Sequence, residues 1–236
     1  MAPALEELGK HCRAISYTLC GDSGSGAEYD PALGFDNYIR QLDSLFLTTG
    51  IEQAAVCGVS YGGFIALRYA ALRPMRVTSL ILVSAPTPGW VPNERQRWYL
   101  TRPWVSAPAF VATAPVRVWP EIYTAFDTWP KRLAFAASHG LRVLAAPMHP
   151  ARMAARVRLQ QSMDFMPDCA RVRAPTLVLT GEDDLDHVVP AAVTRGYQTL
   201  IPGTQYEKID RSGHIGLLTR PKDFAKIVMR FVEREP

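Results

Sequence analysis

No apolar run in this chain approaches the length of a membrane span. The longest, such as Leu80 to Val83 and Leu177 to Leu179, have the length of strands. The four cysteines (Cys12, Cys20, Cys57 and Cys169) show no paired spacing, which suits a reducing compartment better than a disulfide framework. No grouping of His, Cys and Asp has zinc or iron spacing, so no metal is expected, nor any other cofactor. Repeats, coiled-coil heptads and low-complexity tracts are missing too. Met1 to Lys10 holds no basic region followed by an apolar stretch, hence no secretory signal, and the expected location is cytoplasmic.

What is present is an ordinary globular mix. The 236 residues are 48% hydrophobic and 20% charged, enough for one large domain or a core with an inserted unit. The net charge of +4 is unevenly spread. Between Trp90 and Gln160 stand ten basic residues and only three acids (Glu94, Glu121 and Asp127), together with all five tryptophans. That shift in composition marks a separate unit in the middle of the chain.

Strand-like and helix-like segments alternate on either side of it, which predicts an α/β fold: a mostly parallel sheet with helices on both faces. Arg13 to Thr18 reads as a strand followed by a glycine-rich loop, Gly21 to Gly26. Phe35 to Thr48 has apolar residues at helical spacing and Gly50 as a stop. Gln53–Cys57, Thr78–Ser84, Pro175–Thr180 and Tyr206–Asp210 read as strands. Tyr61–Leu72, Pro190–Leu200 and Pro221–Val232 read as helices. The expected organisation is a core made of residues 1–87 and 167–236, interrupted by a helical insertion over 88–166.

Gly58-Val59-Ser60-Tyr61-Gly62-Gly63 fits G-x-S-x-G and sits where the pattern has meaning, after a strand and before a helix. Such a sharp turn exposes the Ser60 hydroxyl and requires neighbours without bulk two positions before and after it. It also aims the Tyr61 N–H at the place where an oxyanion would form. A serine hydroxyl needs a base to take its proton. His214, in the glycine-flanked loop before the last helix, is placed to reach over the sheet's C-terminal edge. His11, His139, His149 and His187 are less well placed. An acid must then orient the imidazole. The loop Gly181 to Pro190 offers Asp184, counting forward from Gly181, or Asp186, counting back from Pro190; Asp186 is preferred.

The order Ser60, acid loop, His214 resembles that of the α/β-hydrolase superfamily. The chain is similar to its lid-bearing branch, with relatives among prolyl aminopeptidases, epoxide hydrolases and carboxylesterases. Further matches are Arg73-Pro74 after the elbow helix, Ser79 to Ser84, Ala174 to Gly181, and Gly213-His214 followed by Arg220-Pro221. The resemblance implies hydrolysis through an acyl-enzyme under a lid formed by residues 88–166. Serine at position 60, where dehalogenases and epoxide hydrolases carry aspartate, argues against those two activities. One departure stands out. Met1 to Lys10 already resembles the helix that follows the family's third strand, whose His-Gly loop supplies an oxyanion N–H. The expectation is an N-terminally short chain, impaired in catalysis, with Gln53–Cys57 unpaired on one side.

Gly21-Asp22-Ser23-Gly24-Ser25-Gly26 also invites comparison with a protease nucleophile loop and with a Gly-Asp-Ser esterase block partnered by Asp184-Leu185-Asp186-His187. As a phosphate loop it lacks the Lys-Ser/Thr ending. A plain loop after a strand explains it best. The basic, tryptophan-rich insertion could meet nucleic acid or a membrane surface. A lid with aromatics lining an apolar pocket and arginines facing water is preferred. The expected partner is therefore a small-molecule substrate with an apolar acyl part, with neither nucleic acid nor a membrane span. The expected activity is that of a serine hydrolase acting on a small ester or amide. The alternatives are acyl transfer or perhydrolysis by the same triad, and a non-catalytic ligand-binding protein.

Overall fold

The computed structural model describes residues 2–145 and 149–233. Four strands, β1 (Ala54–Val59), β2 (Val77–Val83), β3 (Thr176–Thr180) and β4 (Gln205–Lys208), form one parallel sheet in the order β1-β2-β3-β4. Parallel neighbours need crossovers, and helices supply them. In chain order these are α1 (Ala2–Leu8), α2 (Asp36–Thr49), α3 (Gly62–Leu72), α4 (Glu94–Thr101), α5 (Pro103–Ala112), α6 (Ala114–Ala125), α7 (Trp129–Ala145), α8 (Pro150–Gln161), α9 (Met166–Arg171), α10 (Ala191–Arg195), α11 (Tyr197–Leu200), α12 (Gly216–Thr219) and α13 (Pro221–Val232).

The alternation of side chains along a strand sorts the core into two layers. Leu80, Leu82 and Val178 point to one face, where Phe46 of α2, Leu67 of α3 and Cys169 of α9 cover them. Ile81, Val83, Leu177 and Leu179 point to the other, against Ala4 of α1, Leu217 of α12 and Phe224, Val228 and Phe231 of α13. No helix among the described residues is long and apolar enough to cross a membrane.

Two sequence expectations need correction. Arg13 to Thr18 is not a strand but coil. The β-forming composition of Ile15, Tyr17 and Thr18 makes a ladder only beside a partner strand, and none pairs with it among the described residues. β1 is accordingly an edge of the described sheet. Ala55 and Cys57 are exposed, whereas every residue of β3, and all of β2 but Thr78, is buried. The helix expected over Pro190–Leu200 is two short ones, α10 and α11, meeting at Gly196.

Helices α4 to α8 lie between β2 and β3 in sequence and pack mainly on one another. Their aromatics do not all turn inward as expected: Trp98, Trp104 and Trp129 are exposed. Nor do the arginines all face water. Arg132 sits 3.8 Å from the Tyr123 ring centroid and Arg117 4.4 Å from that of Phe110, so these guanidiniums stack on aromatic rings. Arg156 of α8 turns toward the core and pairs with Asp22 at 2.7 Å, tethering the Gly21–Gly26 loop to the insertion.

Candidate active site

Ser60 occupies the step between β1 and α3 with φ +51°, left-handed backbone that costs a non-glycine residue about 1–2 kcal/mol. Surrounding bonds hold it there. The Ser60 N–H donates to the Val83 carbonyl at 2.9 Å, and the Ser60 carbonyl accepts from the Gly63 N–H at 2.9 Å. A Cβ on Gly58 would lie 2.4 Å from the Gly62 oxygen, and one on Gly63 would lie 2.4 Å from the Ala85 Cβ. The second small-residue position is therefore Gly63 and not Gly62, where an added Cβ meets nothing within 4 Å. Accordingly, Gly58→Ala is expected to cost about 1–3 kcal/mol through overpacking, while Gly62→Ala stays within about 0.5 kcal/mol of the parent. Urea unfolding midpoints of the two variants check this.

Tyr61 caps α3 and its N–H donates to none of the described groups, leaving it available at the positive end of an eleven-residue helix. Its ring lies against Phe35, Tyr38 and Phe64. Burial pushes its phenol well above the ordinary tyrosine value, so it stays neutral.

The acid and base loops meet main chain to main chain. The Glu182 N–H donates to the Ser212 carbonyl at 2.8 Å, and the Ile209 N–H to that of Thr180 at 2.8 Å. A Cβ on Gly181 would stand 2.4 Å from the Ser212 oxygen, and one on Gly213 2.3 Å from the Leu185 oxygen. This close seam brings Asp186 Oδ2 to 3.1 Å from His214 Nδ1. Oδ1 of the same carboxylate accepts the N–H groups of Val188 and Val189 at 3.0 and 2.9 Å. Burial pushes the Asp186 carboxyl up, but the His214 hydrogen bond and charge, with the two N–H groups, outweigh it and hold it below the usual value. Asp184, the alternative acid, is exposed. With Nδ1 engaged, His214 has Nε2 left for a hydroxyl. Ser60 shares the C-terminal rim of the sheet, yet its Oγ makes no hydrogen bond to His214 among the described residues.

The other histidines lie elsewhere. His139 stacks on Phe135, His149 meets Trp104 edge-on, and His11 and His187 are exposed. A cleft of about 630 Å³ between α1 and α13, lined by Lys10, His11, Lys222 and Lys226 among others, contains none of the triad candidates. Sequence reasoning passed over one residue at this site. Glu121, noted only as a rare acid in a basic segment, is buried against the His214 loop. No local pattern reveals a contact spanning that much chain.

A family model described as "Alpha/beta hydrolase family" matches residues 2–227. A protein of Klebsiella pneumoniae (strain 342) bearing the name "Putative carbamate hydrolase RutD" is 28% identical over 221 residues, covering 91% of this chain and 79% of the relative. The "Poly(3-hydroxyalkanoate) depolymerase" of Ectopseudomonas oleovorans is 27% identical over 240 residues, covering 99% of this chain and 79% of the relative. Among solved structures, the enol-lactonase from Burkholderia xenovorans LB400 superposes with a TM-score of 0.76 at 19% identity, covering 99% of this chain and 85% of that one.

Proposed function

Because the chain belongs to the alpha/beta hydrolase family, we propose that it is a serine hydrolase that opens a small carboxylic ester or amide through an acyl-enzyme. The observation that carries this reading is the Asp186–His214 hydrogen bond on the rim where Ser60 is held in left-handed backbone. In the proposed cycle His214 Nε2 takes the Ser60 proton as Oγ attacks the substrate carbonyl. His214 then gives that proton to the leaving group. Water enters, loses a proton to His214, and releases the acid with Ser60 restored. Asp186 fixes the tautomer and stabilises the imidazolium. The Tyr61 N–H supports the oxyanion, and one such donor supplies about 2.7–4 kcal/mol.

Carbamates, lactones and hydroxyalkanoate polymers, the compound classes named for the relatives, each present a carbonyl carbon bonded to oxygen or nitrogen. That is the electrophile an activated serine attacks. We further propose that α4 to α8 act as the lid over an apolar acyl group. A fluorophosphonate probe tests the core of this reading. The expected result is one adduct on Ser60 in the parent and none in Ser60→Ala; a folded parent that stays unmodified refutes it. The missing Ser60–His214 hydrogen bond favours a second reading, a ligand-binding protein without turnover. It predicts saturable binding that Ser60→Ala leaves unaltered.

A further inference from the structure

Glu121, on α6, is only 1% exposed. Taking a carboxylate out of water is costly unless hydrogen bonds replace the lost hydration. Here all the replacements come from the segment that bears His214. Oε2 accepts the Ile215 N–H at 3.0 Å, Oε1 accepts the Thr219 hydroxyl at 2.8 Å, and the Gly213 N–H lies close enough to favour the charged carboxylate. A Cβ on Gly213 would come within 2.9 Å of Oε2, so the glycine makes room for this contact. The two N–H groups belong to the residues on either side of His214. Holding the Ile215 N–H, with Gly213 packed close against the same carboxylate, restrains the backbone of the histidine between them and with it the direction of the imidazole.

The end of α6 grips the same segment twice more. The Thr124 carbonyl accepts from Arg211 Nε at 2.8 Å, and the Ala125 carbonyl accepts from an Arg220 nitrogen at 3.4 Å. Those two bonds anchor the segment on either side of the loop, but only Glu121 reaches the peptide groups that adjoin the imidazole.

We propose that Glu121 is a positioning residue for the general base: it transmits the seating of the inserted helices to His214. This rests on the triad reading above. The inserted helices thereby help to aim the base as well as shape the pocket. Asp186 sets the ring's tautomer from one side, and Glu121 sets the main chain that carries the ring.

Glu121→Ala and Glu121→Gln, assayed with p-nitrophenyl acetate and a fluorophosphonate probe, test it. Glu121→Ala frees the loop. A misplacement of about 1 Å costs on the order of 10²-fold, so kcat and the Ser60 labelling rate are expected to fall about 10- to 100-fold, with KM within about twofold. Glu121→Gln retains an oxygen for the two N–H groups and can donate its amide to Thr219, so it is expected to recover kcat to within about threefold of the parent. If Glu121→Ala does not fold, Glu121→Asp, which withdraws the acceptor by one methylene, is expected to lower kcat with KM unchanged. A merely structural role predicts lower melting temperatures with parental kcat in the folded variants, and that result overturns the proposal. So does a glutamine variant as impaired as the alanine one. Parental labelling in a folded Glu121→Ala chain overturns this inference alone; an unreactive parent overturns the triad reading with it.

Discussion

Asp186→Asn is expected to lower kcat for p-nitrophenyl acetate about 10⁴-fold, while Asp184→Asn leaves it within about twofold. The difference follows from one set of bonds. Oδ1 of Asp186 accepts from Val188 and Val189, so an asparagine keeps its oxygen there and turns its amide toward His214 Nδ1. An N–H donor at that position demands a lone pair on Nδ1. The ring proton is then driven to Nε2, which can donate to Ser60 but cannot take its proton. Asp184 is exposed, and losing its charge changes little in solvent. Equal losses in the two variants would remove Asp186 from the proposed triad.

Ser60→Gly and Ser60→Ala should both lose turnover by about 10⁴-fold or more, since neither offers a nucleophile, yet they should part company in stability. At φ +51° an alanine keeps the steric cost that serine bears, whereas glycine adopts this backbone freely. Relief of about 1–2 kcal/mol is partly offset by the greater freedom of glycine in the unfolded chain. The glycine variant is expected to melt about 2–4 °C above the alanine variant, the shift that about 1 kcal/mol produces at this size. Indistinguishable melting temperatures would mean the turn carries no strain. Strain of this kind, held by neighbouring bonds, is what fixes a reactive hydroxyl in one direction.

The elements legible in the sequence are those with strong local punctuation. α13 runs from Pro221 to Val232 as its apolar period predicts, and α3 starts at the elbow's Gly62 and stops short of Pro74. β2 and β3 announce themselves as short apolar runs because both faces are covered. Arg13 to Thr18 misleads for the complementary reason: strand propensity is a property of residues, but a strand is a property of pairs. The choice between Asp184 and Asp186 could be narrowed by counting from Pro190, and the geometry favours Asp186 because its two oxygens fit three donors at once. That Gly63, and not Gly62, needs to be small depends on Ala85 beyond the end of β2, which no five-residue pattern contains. Glu121 was hidden in the same way. Its partners lie more than ninety positions downstream, and only the docking of α6 on the histidine loop joins them.

The seam between Gly181 and Gly213 has a consequence for how this protein can be altered. Where two loops touch through bare backbone there is no side chain to exchange, and any substitution at either glycine collides with a carbonyl. If α4 to α8 form the lid as proposed, altered selectivity is to be sought in their many exposed residues, while the glycine junction resists redesign.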